Sequence, residues 1–237
     1  MKTLRKLSKV AIFVLGATFV IGCGGGGGGN SSNGTISFNG FEYKTVTSPT
    51  TSKVWLDRNL GAARVCESAT DTACYGDYYQ WGRSTDGHED MNSAETTTQA
   101  LDVNNVGNSL FIKGHHDWAK NGVDNSGALR AANWSKTDGS TVCPAGFRVP
   151  TIAEWSAELA NIHNAADAYN SFLKLPSSGY RRWSNGNLQN VGIYGALWSA
   201  TTAGVHTKYV YYNQTNANVS TGGKYRAYGL PVRCIKD

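Results

Sequence analysis

The sequence predicts an α+β protein with short strands, one or two helices and long irregular loops. Three observations support this fold class: one strong helix start in mid-chain, short aromatic segments separated by Gly and Asn turns, and four cysteines beyond the N-terminal region. Hydrophobic residues make up 40% of the chain and charged residues only 16%, a composition that argues against a disordered chain or a coiled coil.

The first 22 residues have the organisation of a bacterial secretion signal. A basic stretch at 1–9 precedes an apolar stretch at 10–20, which is too short for a spanning helix of about 20 residues. The residues that follow resemble a bacterial lipobox, in which Cys23 becomes the acylated first residue of the mature protein. We therefore expect a signal peptide at 1–22 and palmitate-type chains on Cys23 that anchor the protein in a membrane. The alternative is a plain signal peptide with a coincidental cysteine.

A Gly-rich tether at residues 23–35 connects this anchor to a folded domain at 36–237. Six consecutive glycines follow Cys23 and are typical of a flexible linker. By resemblance to lipoprotein sorting, Gly24 in place of an aspartate implies delivery to the outer membrane, and we expect display at the cell surface. Without residues 1–22 the chain has 18 basic and 17 acidic residues, so no nucleic-acid partner is expected.

Short strands and loops are predicted for the first part of the domain. Asn39 and Gly40 lie between two short alternating segments and predict a β-hairpin. Residues 54–57 predict another short strand. Residues 84–140 are rich in Asn, Asp, Gly, Thr and His with little apolar periodicity, which predicts long surface loops and no separate domain.

The clearest helix signal is a capping box at Thr151 and Glu154. Trp155, Leu159 and Ile162 follow at spacings that place them on one helix face, toward a core. The remaining predicted elements are a second helix and four short segments, at residues 165–173, 197–199, 208–212, 225–228 and 232–235.

Four cysteines remain after Cys23, and an even number in an exported protein predicts disulfides. Of the three possible pairings, we expect Cys66–Cys74, which closes a short loop, and Cys143–Cys234, which spans 91 residues. Structural zinc is the alternative, but the sequence has no CxxC pair and no histidine at ligand spacing from a cysteine.

Two loop clusters, at residues 86–90 and 115–117, are the best candidates for a metal site. Calcium takes six to eight oxygen ligands, of which the first cluster offers several. Acidic loop side chains are more often solvated, so we expect no metal and no cofactor. Neither cluster contains an evident nucleophile with a dedicated base, and we expect no catalytic residues and no enzymatic activity.

Trp- and Cys-containing segments occur in a fixed order: VWLDRNL at 54–60, YGDYYQWGR at 75–83, CPAGFRVPT at 143–151, GYR at 179–181, LWS at 197–199 and VRC at 232–234. Together they are similar to the Fibrobacter succinogenes major paralogous domain over residues 36–237. This resemblance implies a C-type-lectin-like fold, whose long-range disulfide agrees with Cys143–Cys234. The broad fold includes formylglycine-generating enzymes, so an oxidase with a reactive, copper-binding cysteine pair is a less favoured alternative.

Residues 182–199, and the later segment GLPVR at 229–233, resemble the variable region of diversity-generating retroelement target proteins. In such systems an error-prone reverse transcriptase rewrites adenine-containing codons near the 3′ end of the gene. Residues 180–228 also hold nine Tyr and Trp residues among Asn, Gly, Ser and Thr, the composition of antibody binding loops. Both observations predict a ligand-binding face for a protein or glycan partner.

Within this region we expect Tyr180 and Trp198 in the core, and strand alternation places Tyr209 and Tyr211 on one face, opposite Val210. The alternatives are that the other aromatic residues are also core residues, and that the protein is a structural or adhesion lipoprotein of the envelope without diversification. The predicted ligand-binding residues are Arg182, Trp183, Asn187, Gln189, Ile193, Tyr194, Ala196, His206, Lys208, Tyr209, Tyr211, Lys224, Tyr225 and Tyr228.

Overall fold

A computed structural model describes residues 34–220 and 222–237. The predicted signal peptide, Cys23 and most of the predicted tether lie outside the described residues. Within the described part, three short α-helices accompany five small β-sheets, four of them antiparallel. The predicted α+β class is therefore confirmed. No helix among these residues is long and apolar enough to cross a membrane.

The elements are short, apart from two strands near the C-terminus. The helices are α1 (Ala128–Trp134), α2 (Ile152–Glu158) and α3 (Ala165–Asn170). The strands are β1 (Ile36–Phe38), β2 (Phe41–Tyr43), β3 (Thr45–Thr47), β4 (Val54–Leu56), β5 (Tyr79–Gln80), β6 (Glu95–Thr96), β7 (Phe111–Ile112), β8 (Phe147–Arg148), β9 (Tyr180–Arg181), β10 (Leu188–Gln189), β11 (Tyr194–Ala203), β12 (His206–Asn213), β13 (Ala217–Val219), β14 (Gly229–Leu230) and β15 (Ile235–Lys236).

The predicted hairpin and the predicted strand at 54–57 are both present, as β1–β2 and as β4. Asn39 and Gly40 have φ values of 49° and 80°, the left-handed conformation that a two-residue hairpin turn requires. The next sheet has the order β3-β4-β15-β8. The last strand of the chain thus lies between the first strands of the domain and the segment that precedes α2.

Both predicted disulfides are present, Cys66–Cys74 and Cys143–Cys234. The second joins the segment before β8 to the residue before β15, and β8 and β15 are hydrogen-bonded neighbours. Both of its cysteines are buried. The bond therefore fixes the last strand within the sheet that unites the two ends of the domain.

The predicted capping box begins α2. Thr151 Oγ1 accepts a hydrogen bond from the amide of Glu154, whose carboxylate accepts one from the amide of Thr151. Trp155, Leu159 and Ile162 are buried in one core, as expected. The α-helix ends at Glu158 and a 3₁₀ turn carries the chain onward.

The second helix, α3, is shorter than the predicted 165–173. It ends at Asn170 because Ser171 has an extended backbone, with its hydroxyl donating to the carbonyl of Ala168. Leu173 lies beyond the helix but is fully buried. Its apolar character therefore reflects burial in the core and not helix continuation.

The three-stranded sheet β11-β12-β13 lies between two hydrophobic cores. Ala196 and Trp198 on β11 pack into the first core, and Leu197 packs into the second with Val210 and Tyr212 of β12. Both long strands extend well beyond the predicted segments at 197–199 and 208–212. Alternate residues of the pair therefore serve opposite sides of the sheet.

The region at 84–140 contains more structure than its predicted loops. It includes α1 and the parallel pair β6–β7, and Trp118 is at the centre of a third core. Individual large side chains, such as Trp118, attach this segment to the core. The segment therefore lacks the regular spacing of apolar residues from which a helix or strand is predicted.

Six of the seven tryptophans are fully buried, namely Trp55, Trp81, Trp118, Trp134, Trp155 and Trp198. Five of them donate the indole N–H to a backbone carbonyl elsewhere in the chain, as when Trp198 donates to Tyr79 over 2.7 Å. Such bonds satisfy the polar atom of a large buried ring. Trp183 alone among the seven is half-buried.

The two disulfides are expected to differ in their effect on stability. In the chain-entropy relation, the loop between Cys143 and Cys234 corresponds to about 4–5 kcal/mol and the loop between Cys66 and Cys74 to about 2–3 kcal/mol. Chemical denaturation of the two double alanine variants should therefore show the larger loss of unfolding free energy when the long-range bond is removed. Equal losses would contradict this ranking.

Candidate ligand-binding surface

Nine aromatic side chains form one continuous patch, which we call the aromatic surface. Neighbouring ring centroids are 3.8 to 6.4 Å apart, within the range of favourable ring–ring contacts. One member is exposed and the other eight are half-buried. The members are His116, Tyr180, Trp183, Tyr194, His206, Tyr209, Tyr211, Tyr225 and Tyr228.

One end of the aromatic surface is a stack centred on Tyr225. Its ring is 3.8 Å from that of His116 and 5.0 Å from that of His206, nearly parallel to the first. Trp183 meets both His116 and Tyr225 edge-on. A groove of about 330 Å³ opens beside this stack, with Val205 on its wall. This end can therefore accept a protruding ligand group.

The other end is a row of tyrosines that covers the first core. Tyr228 contacts Tyr180, Tyr180 contacts Tyr194, and Tyr194 is stacked with Tyr211. Tyr209 and Tyr211 are neighbours on the same strand face, with centroids 5.8 Å apart, whereas Val210 between them is fully buried on the other face. The predicted alternation at these three residues is confirmed.

Lys224 lies at the centre of the aromatic surface. Its Nζ is 4.2 Å from the ring centroid of Tyr180, 4.4 Å from Tyr228, 4.8 Å from Tyr209 and 5.9 Å from Tyr194. Burial lowers the pKa of Lys224 to about 8, while the negative ring faces attract the ammonium form. At neutral pH the lysine therefore remains mainly protonated.

Backbone pairing places Lys224 beside β12. The amide of Thr207 donates to the carbonyl of Lys224, and the amide of Lys224 donates back, over 3.1 and 2.9 Å. Gly223 precedes the lysine with φ of +78°, and a Cβ there would lie 2.8 Å from the Cβ of His206. A glycine is therefore required for the chain to approach β12 this closely.

An ion-pair network joins the two loops that meet at the Tyr225 stack. Arg226, fully buried, donates to Asp117 over 3.1 Å and to the carbonyl of Gly204 over 2.6 Å. Asp117 also accepts from Arg130 of α1. Because Arg226 follows Tyr225 and Asp117 follows His116, the network brings those two rings together.

Eight of the fourteen predicted ligand-binding residues belong to this site, as members of the aromatic surface or as its central lysine. Sequence reasoning missed His116 and Tyr180. The sequence pattern places His116 in a candidate metal cluster, and Tyr180, which we expect in the core, is half-buried at the surface. The predicted residues that the site brings together are Trp183, Tyr194, His206, Tyr209, Tyr211, Lys224, Tyr225 and Tyr228.

Four further predicted residues lie beside the aromatic surface. Arg182, Asn187 and Ile193 are exposed and Gln189 is half-buried. Burial raises the pKa of Tyr228 and the positive charge of Arg182 opposes that rise, which places this arginine near the rim. The other three are close to ring residues in sequence or in strand pairing, as Gln189 is to Tyr180.

Two predicted residues do not belong to the aromatic surface. Ala196 is fully buried, because it is paired with Tyr211 across the sheet and lies in the first core beneath the tyrosines. Lys208 has the same strand parity as Val210, which directs it to the opposite face from Tyr209. Trp198, expected in the core, is buried there as predicted.

The first metal candidate is an internally bonded cluster. Asp86, His88 and Glu89 have ligand atoms within 4.8 Å of one another. His88 Nε2 accepts a hydrogen bond from the amide of Gln80, so the ring proton is on Nδ1, 2.8 Å from Asp86 and 3.1 Å from Glu89. Both ring nitrogens are therefore engaged within the protein, and the cluster orders its loop.

The second candidate, at residues 115–117, does not converge on one point. His115 contacts the carbonyl of Thr97, His116 stacks in the aromatic surface, and Asp117 is paired with arginines. These three side chains therefore have separate roles.

The low pKa of Lys224 predicts a pH-dependent difference between the wild type and Lys224→Met. Between pH 8 and 10.5 the unfolded chain retains a proton that the folded protein has lost, so wild-type stability should rise with pH relative to the variant. Chemical denaturation at pH 7.5 and 9.5 should show a relative gain of roughly 1–2 kcal/mol. A difference that does not change with pH would exclude this buried ionisation.

No protein-family model, curated protein or solved structure matches this chain. The argument for its function therefore rests on the arrangement of its own residues. That arrangement is an open patch of aromatic rings around a lysine, carried by a disulfide-bonded α+β domain.

Proposed function

We propose that this protein is a binding protein of the bacterial cell surface, anchored in the outer membrane by lipid on Cys23, and that its aromatic surface contacts a protein or glycan partner. The observation that carries the proposal is the partial exposure of nine clustered rings. The same domain buries six tryptophans completely. The partial exposure of these rings is therefore not explained by a core too small to bury large aromatic side chains. Aromatic clusters left open in this way are typical of interaction sites.

The physics of the patch favours recognition. Tyrosine and tryptophan provide large contact areas with few rotatable bonds, so their ordering costs little entropy on binding. Ring–ring contacts already restrain them before a partner arrives. A preorganised surface loses less conformational freedom in the complex, which leaves more of the contact energy for affinity.

We further propose that the fold is C-type-lectin-like, as the family resemblance implies. Two features support this: β15, the last strand, pairs with β4 near the start of the domain, and the Cys143–Cys234 bond ties β15 to the segment before α2. In this interpretation the β3-β4-β15-β8 sheet is the structural scaffold of the domain, and residues 180–228 form the part that faces the ligand.

A diversified ligand-binding face is consistent with where the rings occur in the chain. Eight of the nine members of the aromatic surface fall within residues 180–228, the aromatic-rich part of the chain that includes residues 182–199, which resemble a retroelement variable region. Most of these rings lie over the first core and remain half-buried, so their outer edges are open to a ligand while the residues beneath them form the core. A reverse transcriptase gene and a near-copy of the 3′ coding segment in the genomic neighbourhood would distinguish this protein from an undiversified envelope lipoprotein.

Catalysis is not part of the proposal. An oxidase of the formylglycine-generating type would need a reactive cysteine pair, and the four cysteines of the described residues are bonded to one another. The residues at the aromatic surface bind and orient, and they provide no nucleophile with an adjacent base.

The double variant Tyr209→Ala/Tyr211→Ala should lose ligand binding without unfolding, because both rings are half-buried at the edge of the first core, whereas Val210 and Tyr212 on the other face of the strand remain in the second core. A glycan array and a panel of bacterial and host surface proteins, probed with full-length protein in detergent micelles, provide the test. Binding should fall at least tenfold, with little change in far-ultraviolet circular dichroism.

Tyr169→Ala is the matched control, since Tyr169 is a half-buried tyrosine on α3 outside the aromatic surface. It should retain full binding. Ligands that bind the double variant and the wild type equally would refute the placement of the site.

The anchor is tested at Cys23. Replacing Cys23 by serine removes the sulfur that carries the acyl chain, so incorporation of radiolabelled palmitate and recovery in the outer-membrane fraction should both be lost. Gly24→Ala is the control that leaves the acylated atom in place. Undiminished labelling of Cys23→Ser would show that the lipobox interpretation is wrong.

A further inference from the structure

We propose that Lys224 receives a carboxylate from the partner, the side chain of an Asp or Glu residue that inserts at the centre of the aromatic surface. This inference rests on the proposed function and specifies the chemistry of the bound partner. It requires three things of the site: a cation that lacks an internal counterion, a path to solvent, and surroundings that strengthen an ion pair.

Lys224 differs from the buried cations of this domain in its partners. Among residues 34–220 and 222–237 its ammonium forms no hydrogen bond or ion pair, and its neighbours are the faces of four tyrosines. Each buried arginine, by contrast, has acceptors: Arg58 has Asp57, Arg83 has Asp86, Arg130 has Asp117 and Asp124, Arg181 has Glu95, Arg226 has Asp117, and Arg233 has Asn59 and backbone carbonyls.

An ammonium has three N–H donors, and ring faces satisfy its charge only in part. Leaving such a group without an acceptor is costly wherever water is mostly excluded. Among the described residues the domain meets this requirement at every buried arginine but not at Lys224. That residue is half-buried, and its Nζ is not one of the solvent-inaccessible atoms that lack a hydrogen-bond partner. A carboxylate from outside can supply the acceptor.

The surroundings of Lys224 would strengthen such a pair. Tyr180, Tyr209 and Tyr228 lie within 4.8 Å of its Nζ, and a partner resting on these rings would exclude water from the contact. An ion pair is stronger in a medium of lower dielectric constant. A charged pair ringed by aromatic contacts is also the arrangement found at energetic centres of protein–protein interfaces.

The position of Lys224 favours a protein partner over an acidic sugar. The Tyr225 stack lies on one side and the Tyr194–Tyr211 stack on the other, so the lysine is in the interior of a broad patch. A single acidic side chain projecting from a protein surface would reach it while the surrounding residues of that protein cover the rings. The composition of the patch is also the one that antibodies use against protein surfaces.

The test uses a phage-displayed library of random peptides, selected against full-length wild-type protein in detergent micelles. Selected peptides should carry an Asp or Glu, and Lys224→Met should weaken their binding at least tenfold. Changing that peptide acid to its amide should weaken binding to the wild type by a similar factor and leave binding to Lys224→Met unchanged. Such non-additivity reports a direct contact between the two groups.

Lys44→Met is the matched control. It removes an exposed lysine that lies between β2 and β3 and is not part of the aromatic surface, so this variant should bind as the wild type does. If selected peptides depend on Tyr209 and Tyr211 but not on Lys224, the carboxylate inference fails and the proposed function stands. If they depend on neither, both fail. Lys224-dependent binding of glucuronate-containing oligosaccharides, with no Lys224-dependent peptide, would overturn the protein partner in favour of an acidic glycan.

Discussion

The antiparallel pairing of β11 with β12 is the constraint on which the rest of the structure depends. Its register directs Leu197, Val210 and Tyr212 into one core and Trp198 into the other. The same register places Tyr209 and Tyr211 on the face that also carries Trp198, where they are half-buried at the edge of the first core. A shift by one residue would exchange these sets, burying tyrosine hydroxyls and exposing aliphatic side chains, which makes the alternative pairing unfavourable.

Around this pair the domain is held less by regular elements than by large side chains that bond to distant backbone. Buried indoles donate to carbonyls, and buried arginines bind carboxylates and carbonyls across loops. Each such contact satisfies polar atoms that long irregular segments would otherwise leave without partners. The aromatic surface differs from the rest of the domain: its rings are partly open, and its lysine has no acceptor among the residues that the structure describes. This contrast supports the proposal that the patch contacts a partner.

The two faces of the β11–β12 pair differ in how tightly their side chains are packed. Gly195 shows how tight the inner side is, since a Cβ at this position would lie 2.0 Å from the ring of Tyr212. On the opposite side, Tyr209 and Tyr211 pack against the first core but remain half-buried. Exchange of these tyrosines should therefore cost less packing energy than exchange of the fully buried residues of the other face.

The sequence by itself determined the features that depend on local pattern: the Asn39–Gly40 turn, the capping box at Thr151, the α+β class and the strand alternation around Val210. The pairing chosen for the four cysteines was also correct, though spacing alone left three possibilities. Only the tertiary structure decided which aromatic residues are open, because burial depends on long-range neighbours: it removed Ala196 from the face and added Tyr180 and His116. The sequence likewise could not predict the central place of Lys224, since the four rings that surround it come from four different segments: β9, β11, β12 and the loop before β14.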